Sequence, residues 1–158
     1  NMLELLVIII GIVVDRITKI WAMGLNGKTI TVIPNIFDFE YLENRGAAFG
    51  IFQDKKIFLI GFTGLVLIGM IVFLIHERKN SKLVAFSLSL IISGAIGNLY
   101  DRITYGFVTD FLKFHYKEVY AFPTFNVADI LVVCGTGLMV LYLIIEMIKE
   151  NKEKKGMS

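Results

Sequence analysis

Two aspartates, Asp110 and Asp129, lie on either side of an aromatic segment that leads into a long apolar run. Asp110 stands in the stretch FVTDF, among mostly hydrophobic neighbours, and Asp129 directly precedes the apolar run. Two carboxyl groups held close together in such surroundings cannot both ionise at low cost, so they share a proton. The pair predicts the chemistry of an aspartic protease. A purely structural role stays open for Asp129, which also suits the first turn of a helix.

Amide and guanidinium side chains flank the apolar segments at several other places. Asn98 and Arg102 are four residues apart, so a helix places them on one face. Asn126 precedes the last apolar run and is suited to cap the helix that follows. Asn44 and Gly46 stand in ENRGAAFG, whose small residues permit close approach of the backbone to a ligand. Structural roles, as a helix anchor, a cap or a tight turn, stay open for these residues.

Asp15 and Lys19 interrupt the first apolar segment of the chain. A charge at the centre of a membrane costs roughly 2.5 to 3.5 kcal/mol on insertion scales, so such a residue is by default a candidate for function. The two residues are four apart on one helix face and can form an ion pair. Neutralisation of Asp15 as the only role of Lys19 stays an equal alternative.

Other site chemistries are disfavoured by the residues present. His76 begins HERKN, which lacks the second histidine of a zinc protease motif, and His115 has no serine marked as its partner. We therefore predict no metal, no cofactor and no nucleic-acid partner. Cys134 is the only cysteine, which excludes an internal disulfide, and we predict it to be a small buried apolar residue.

The composition indicates an integral membrane protein. Of the 158 residues, 56% are hydrophobic and only 19% are charged, whereas soluble domains carry about a quarter charged residues. The mean hydropathy is +0.70. Ile57 to Ile75 contain no charged residue, and this segment is long enough to cross a hydrocarbon core of roughly 30 Å.

We predict four transmembrane helices, at about residues 3–25, 57–75, 83–100 and 129–148, in one membrane-embedded domain that covers residues 1–158. Basic residues crowd the link between the second and third helices and also the C-terminal tail. They are Arg78, Lys79, Lys82, Lys149, Lys152, Lys154 and Lys155. By the positive-inside rule both termini are cytoplasmic, and the two candidate acids lie near the outer leaflet.

The two outer segments, at about residues 26–56 and 101–128, differ in pattern. The first contains TITVIP and FDFEYLE, which are rich in β-branched residues or alternate in polarity, and it predicts a small extracytoplasmic β-sheet platform. The second is aromatic without a clear period, and we predict a short interfacial helix or flap. The predicted fold class is therefore an all-α integral membrane protein with a small outer sheet.

Five sequence blocks together resemble one family. In chain order they are DRITK, NRGAAFG, GNLYDR, VTDF and FNVAD. Spread over a plan of four helices, they resemble the lipoprotein signal peptidases, or signal peptidase II, of bacterial inner membranes. The resemblance covers nearly the whole chain. Arg16 and Tyr100 depart from the residues that are common in the family, which bears on fine substrate preference only.

The resemblance implies roles for individual residues. It makes Asp110 and Asp129 the catalytic pair, and it makes Asp101 structural. The remaining candidates are implied to shape the site, to hold substrate or to support it from the first helix. They are Asn44, Gly46, Asn98, Arg102, Asn126, Asp15 and Lys19.

The resemblance also implies an activity. Such an enzyme removes the signal peptide from diacylglyceryl-modified prolipoproteins, just before the lipidated cysteine, in the bacterial cytoplasmic membrane. Membrane lipid and globomycin-type cyclic peptide inhibitors are its implied partners, and we expect a monomer. Two other classes stay open on the sequence: a small proton-coupled transporter that uses Asp15 and another acid, and a structural four-helix scaffold.

Overall fold

The computed structural model describes residues 2–46 and 55–156. Two pairs of strands separate the helices along the chain and form one small sheet. In order, the elements are α1 (Met2–Met23), β1 (Thr29–Ile33), β2 (Phe37–Asn44), α2 (Lys56–Glu77), α3 (Lys82–Thr104), β3 (Val108–Tyr116), β4 (Tyr120–Ala121) and α4 (Val127–Gly156).

Helix α3 is the central helix, because it packs against α1, α2 and α4. Half of its most apolar window is buried, compared with 17% of that of α2 and 6% of that of α4. Small residues allow this close packing. A Cβ atom added at Gly94 would meet the backbone oxygen of Ala128, and one added at Gly97 would meet the carboxylate of Asp15. These glycines let α4 and the polar face of α1 approach α3.

Within the described residues, three helices are long and apolar enough to cross a membrane: α2, α3 and α4. The fourth predicted span, α1, is as long as α2, at 22 residues. It carries four charged residues, however, which are Glu4, Asp15, Arg16 and Lys19. That α1 also crosses the membrane stays a prediction.

Among the described residues, the sheet has four antiparallel strands in the order β1-β2-β3-β4. The two strands predicted from TITVIP and FDFEYLE are confirmed as β1 and β2. Their aromatic residues pack against α1 and β3, since Phe39 meets the ring of Trp21 edge-on at 5.1 Å and Phe37 stacks on Phe114 at 4.5 Å. This packing attaches the sheet to the end of α1.

The interfacial helix predicted between residues 101 and 128 is wrong. Helix α3 continues to Thr104, and the chain then enters β3, which joins the sheet beside β2. The first four residues of β3 are all buried, so the strand lacks the alternation that marks a strand with one exposed face. Whether the aromatic segment acts as a lid over substrate stays a prediction.

Candidate active site

The C-terminal end of α3, the start of α4, and the facing residues of β2 and β3 meet at one place. Strand pairing brings the ends of β2 and the start of β3 together, with Leu42 opposite Asp110 and Asn44 opposite Val108. Polar residues from each of these elements converge there, and they include both predicted catalytic aspartates.

Asn126 and Asp129 form a reciprocal cap at the start of α4. The Oδ1 atom of Asn126 accepts a hydrogen bond from the Asp129 N–H at 3.0 Å, and Asp129 Oδ2 accepts one from the Asn126 N–H at 3.1 Å. This is the geometry of a capping box. The second oxygen of Asp129 is still available, and it accepts a hydrogen bond from Asn98 Nδ2 at 2.8 Å. Asp129 therefore caps the helix and faces the polar cluster at the same time.

Asp110 is only 2% exposed. Its Oδ1 atom accepts a hydrogen bond from Asn126 Nδ2 at 2.6 Å, and its Oδ2 atom accepts one from Asn44 Nδ2 at 3.1 Å. Asn126, which is itself fully buried, thus contacts Asp110 through its side chain and Asp129 through its backbone. One residue ties the two carboxyl groups together.

The environment of Asp110 favours its protonated form. Burial and, to a smaller extent, the negative charge of Asp129 together raise the pKa of the Asp110 carboxyl to about 7, against the lowering effect of the amides of Asn126 and Asn44. A carboxyl group that is partly protonated at neutral pH, beside a second carboxyl, has the properties that shared-proton chemistry requires.

A second layer of buried charges lies behind the acids. Lys19 Nζ contacts Asp15 Oδ2 at 2.9 Å, Asp101 Oδ2 at 3.1 Å and Asn98 Oδ1 at 2.9 Å. The ammonium group has three hydrogens, so these three acceptors satisfy it. Asp15 Oδ1 accepts a hydrogen bond from the Ala128 N–H at 3.0 Å. Lys19 therefore does more than neutralise Asp15, because it also contacts the amide that holds Asp129.

Arg102 and Gly46 close the cluster on the side of β2. The Nη2 atom of Arg102 donates to the Gly46 carbonyl at 3.0 Å, and the Gly46 N–H donates to Asn44 Oδ1 at 3.0 Å. Gly46 is buried, as a position of close backbone approach should be. The remaining small residues of ENRGAAFG, at positions 47–50, lie outside the described residues.

A cavity of about 520 Å³ opens onto these groups. Asp110, Asp129 and Arg102 lie in its polar part. Its apolar wall comes from the segment before α4 and from the first turns of α4, and includes Phe122, Phe125, Ile130, Val133 and Cys134. Cys134 is exposed, so the prediction of a buried cysteine is wrong. The helix face on which it lies borders the cavity and not the helix bundle.

All nine predicted site residues are among the described residues, and hydrogen bonds or ion pairs connect them into one cluster. Sequence reasoning missed the part played by Arg16, whose Nη1 atom lies 2.5 Å from Asp101 Oδ1. It also missed the Thr109 N–H, which donates to Asp101 Oδ2 at 3.0 Å. Charge balance would have indicated Arg16, because two buried acids, Asp15 and Asp101, require two cations. In the part of the chain that the structure describes, no group of three His, Cys, Asp or Glu residues is arranged to hold a metal ion.

Two solved structures of bacterial membrane enzymes share this fold. One has a TM-score of 0.83 at 29% identity and covers 93% of this chain and 90% of its own length. The other has a TM-score of 0.78 at 29% identity and covers 90% of this chain and 93% of its own. The fold is that of a bacterial membrane enzyme.

The family is shown by sequence similarity. Residues 7–145 match the family model of signal peptidase (SPase) II. The lipoprotein signal peptidase of Clostridium novyi (strain NT) is 53% identical over 146 residues, which cover 91% of this chain and 99% of that protein. The one from Symbiobacterium thermophilum is 38% identical over 148 residues, covering 91% of this chain and 95% of that protein. This chain belongs to the lipoprotein signal peptidase family, which confirms the resemblance seen in the five sequence blocks.

Proposed function

We propose that this protein is an aspartic endopeptidase that removes the signal peptide from diacylglyceryl-modified prolipoproteins, by hydrolysis just before the lipidated cysteine. The observation that carries the proposal is the bridge that Asn126 makes between Asp110 and Asp129 at the wall of the cavity. Membership of the family supports the class of substrate.

In the proposed reaction a water molecule lies between the two carboxyl groups. The ionised aspartate takes a proton from this water as its oxygen attacks the scissile carbonyl, and the protonated aspartate donates a hydrogen bond to the carbonyl oxygen. A proton then passes to the leaving amine as the C–N bond breaks. No covalent intermediate is needed, and the pair begins the next cycle with one proton.

Fixed orientation of both acids supports this mechanism. Each of the four carboxylate oxygens of the pair accepts a hydrogen bond, from Asn126 Nδ2 and Asn44 Nδ2 on Asp110 and from Asn98 Nδ2 and the Asn126 N–H on Asp129. Such bonds hold reacting groups in place before substrate arrives, which lowers the entropic part of the barrier.

The location of the cavity suits a substrate that is itself in the membrane. A signal peptide is an apolar helix, and the cavity places an apolar wall of α4 beside the acids, where α3 ends and α4 begins. Basic residues lie in the link between α2 and α3 and in the tail of α4, at the end of the helices opposite to the acids. The positive-inside rule predicts that this end is cytoplasmic. We therefore place the site near the outer leaflet, with both termini inside.

The decisive experiment is cleavage of a diacylated prolipoprotein by the purified protein in detergent. We expect the parent to cut before the lipidated cysteine, and we expect Asp110→Asn and Asp129→Asn each to lose nearly all activity. Asp38→Asn is a matched control, since Asp38 is another buried acid of the same sheet but pairs with His115 at 2.9 Å. We expect this control to retain most of the activity.

Two results would count against the proposal. A parent enzyme that fails to cut the diacylated substrate would remove the peptidase assignment and make proton-linked transport the next test. A folded variant of either Asp110 or Asp129 with near-parent activity would remove that residue from the catalytic pair. Inhibition by globomycin-type cyclic peptides, activity as a monomer and dependence on membrane lipid are further expectations for the same preparation.

A further inference from the structure

Arg16 of α1 lies over two neighbouring tyrosine rings at the end of α3. Its guanidinium carbon lies 5.0 Å from the centre of the Tyr100 ring and 5.7 Å from that of Tyr105. The Nε and Nη2 atoms are buried and have no hydrogen-bond acceptor. A guanidinium group of this kind is stabilised by the faces of the rings, which attract a cation.

The remaining edge of this guanidinium group is directed at Asp101. Nη1 of Arg16 lies 2.5 Å from Asp101 Oδ1, while the side chain of Asp101 is fully buried. The other oxygen, Oδ2, accepts a hydrogen bond from the Thr109 N–H at 3.0 Å. Thr109 directly precedes Asp110 in β3. A continuous chain of contacts therefore runs from the tyrosine rings to the backbone beside Asp110.

We propose that Arg16 is a positioning residue for Asp110: the ring-held guanidinium fixes Asp101, and Asp101 fixes the start of β3 relative to α1 and α3. This inference rests on the proposed function, because it takes Asp110 to be one of the reacting acids. Lys19 also contacts Asp101, but it divides its three hydrogens among Asp101, Asp15 and Asn98. Arg16 is the cation whose contacts in this cluster are with Asp101 and the rings.

Arg16 also balances the charge behind the catalytic pair. Asp15 and Lys19 from α1, with Asp101 from α3, form a buried group of two acids and two cations once Arg16 is included. The other charged groups that face it are Arg102 of α3, Asp110 of β3 and Asp129 of α4. Loss of the Arg16 charge leaves one negative charge in excess, which disfavours ionisation of Asp110 and raises the pKa of its carboxyl.

The test is steady-state cleavage of the diacylated prolipoprotein by Arg16→Gln, Arg16→Lys and Lys113→Gln variants, with the fraction of folded protein measured for each. For Arg16→Gln we expect kcat to fall about tenfold, with KM within about twofold, because the acid is misplaced while the cavity is retained. Its pH profile should move upward by about 0.3 to 0.5 unit. Arg16→Lys keeps the charge, so it should keep the parent pH profile and recover most of kcat.

Lys113→Gln is the matched control for charge. Lys113 lies on the same strand as Asp110 and pairs with Glu40 at 2.5 Å, but about a third of its side chain is exposed. Removal of this cation should leave kcat and the pH profile unchanged, because solvent screens an exposed pair.

Variants at Tyr100 test the tyrosine rings and leave every charge in place. Tyr100→Phe keeps the ring and should behave as the parent, whereas Tyr100→Leu should lower kcat about threefold without moving the pH profile. These variants also keep the inference testable if Arg16→Gln does not fold. Combined with Arg16→Gln, Tyr100→Leu should cause no further loss.

The inference is overturned if Arg16→Gln lowers the melting temperature but retains the parent kcat and pH profile per folded molecule, as a purely structural residue would. If the losses of kcat in the Arg16→Gln and Tyr100→Leu double variant are strictly additive, the rings do not act through Arg16. Failure of the proposed function looks different, because then the parent itself does not cut or the Asp110→Asn variant stays active, whatever happens at Arg16.

Discussion

Helices α1 and α2 have the same length, but their buried residues differ in character. Both contain 22 residues, yet the buried residues of α2 are Leu59, Leu67 and Leu74, whereas those of α1 include the charged residues Glu4, Asp15 and Lys19. Each helix packs against α3. The apolar contact between α2 and α3 stabilises the bundle but is not directional. The charged contact between α1 and α3 connects α1 to the candidate site through specific hydrogen bonds. We infer that α2 contributes only to the fold, whereas α1 contributes to the fold and also positions the site.

We expect the largest effect from Lys19→Met, which replaces a buried charge of α1 with an apolar side chain of the kind that α2 buries. Removal of the cation leaves Asp15, Asp101 and the Asn98 carbonyl without their shared donor, and one broken buried pair costs about 3 to 5 kcal/mol. Activity should fall at least about 100-fold per folded molecule, since Asn98 orients Asp129. Thermal unfolding and cleavage assays on the same preparation check both effects, and parent-like activity would contradict the role given to α1.

The equivalent change on the α2 side is Leu67→Ala. Leu67 belongs to the buried cluster with Val84, Leu88 and Ile92 of α3. The cavity left behind should destabilise the protein by about 2 to 4 kcal/mol. The kcat of the protein that stays folded should not change, because the described residues of this cluster include none of the candidate site. A loss of kcat at constant folded fraction would show that α2 does act on the site.

A pH series tests the same contrast between a charged and an apolar contact, through the dependence of stability on pH. The pKa of Asp110 is raised to about 7 in the folded protein, from an ordinary value of 3.8. Between these values the folded state binds more protons than the unfolded state, so Asp110 lowers stability as the pH rises from about 4 to 7. Melting temperatures should show that Asp110→Asn removes this slope, whereas Leu67→Ala lowers stability equally at every pH.

The smallest effect is expected on the outer face of α2. Leu65 is 71% exposed and faces away from the bundle, toward the expected lipid. Leu65→Val should change stability by less than about 0.5 kcal/mol and leave cleavage unchanged. A large effect on either measurement, with the parent as reference, would indicate a contact of α2 that the single chain does not make.

Prediction from sequence succeeded where a residue pattern has one physical outcome. The charge-free run of α2 and the alternation in FDFEYLE each have few alternatives, so these elements were predicted within a few residues. Strand β3 was missed because its first four residues are buried on both faces and because it pairs with β2 from a distant part of the chain. Cys134 was misplaced because an apolar helix does not reveal which of its faces borders a cavity.

The amino-acid sequence shows which residue types are available for chemistry: two acids at the edges of apolar segments, with amides, an arginine and a pair of charges inside the first apolar segment. How these residues are connected depends on the tertiary structure. Asn126 joins Asp110 to Asp129, Lys19 reaches Asn98, and Arg16 is held by rings from another helix. Hydrogen bonds and ion pairs depend on distances of a few tenths of an ångström, and those distances are set by how helices from different parts of the chain pack.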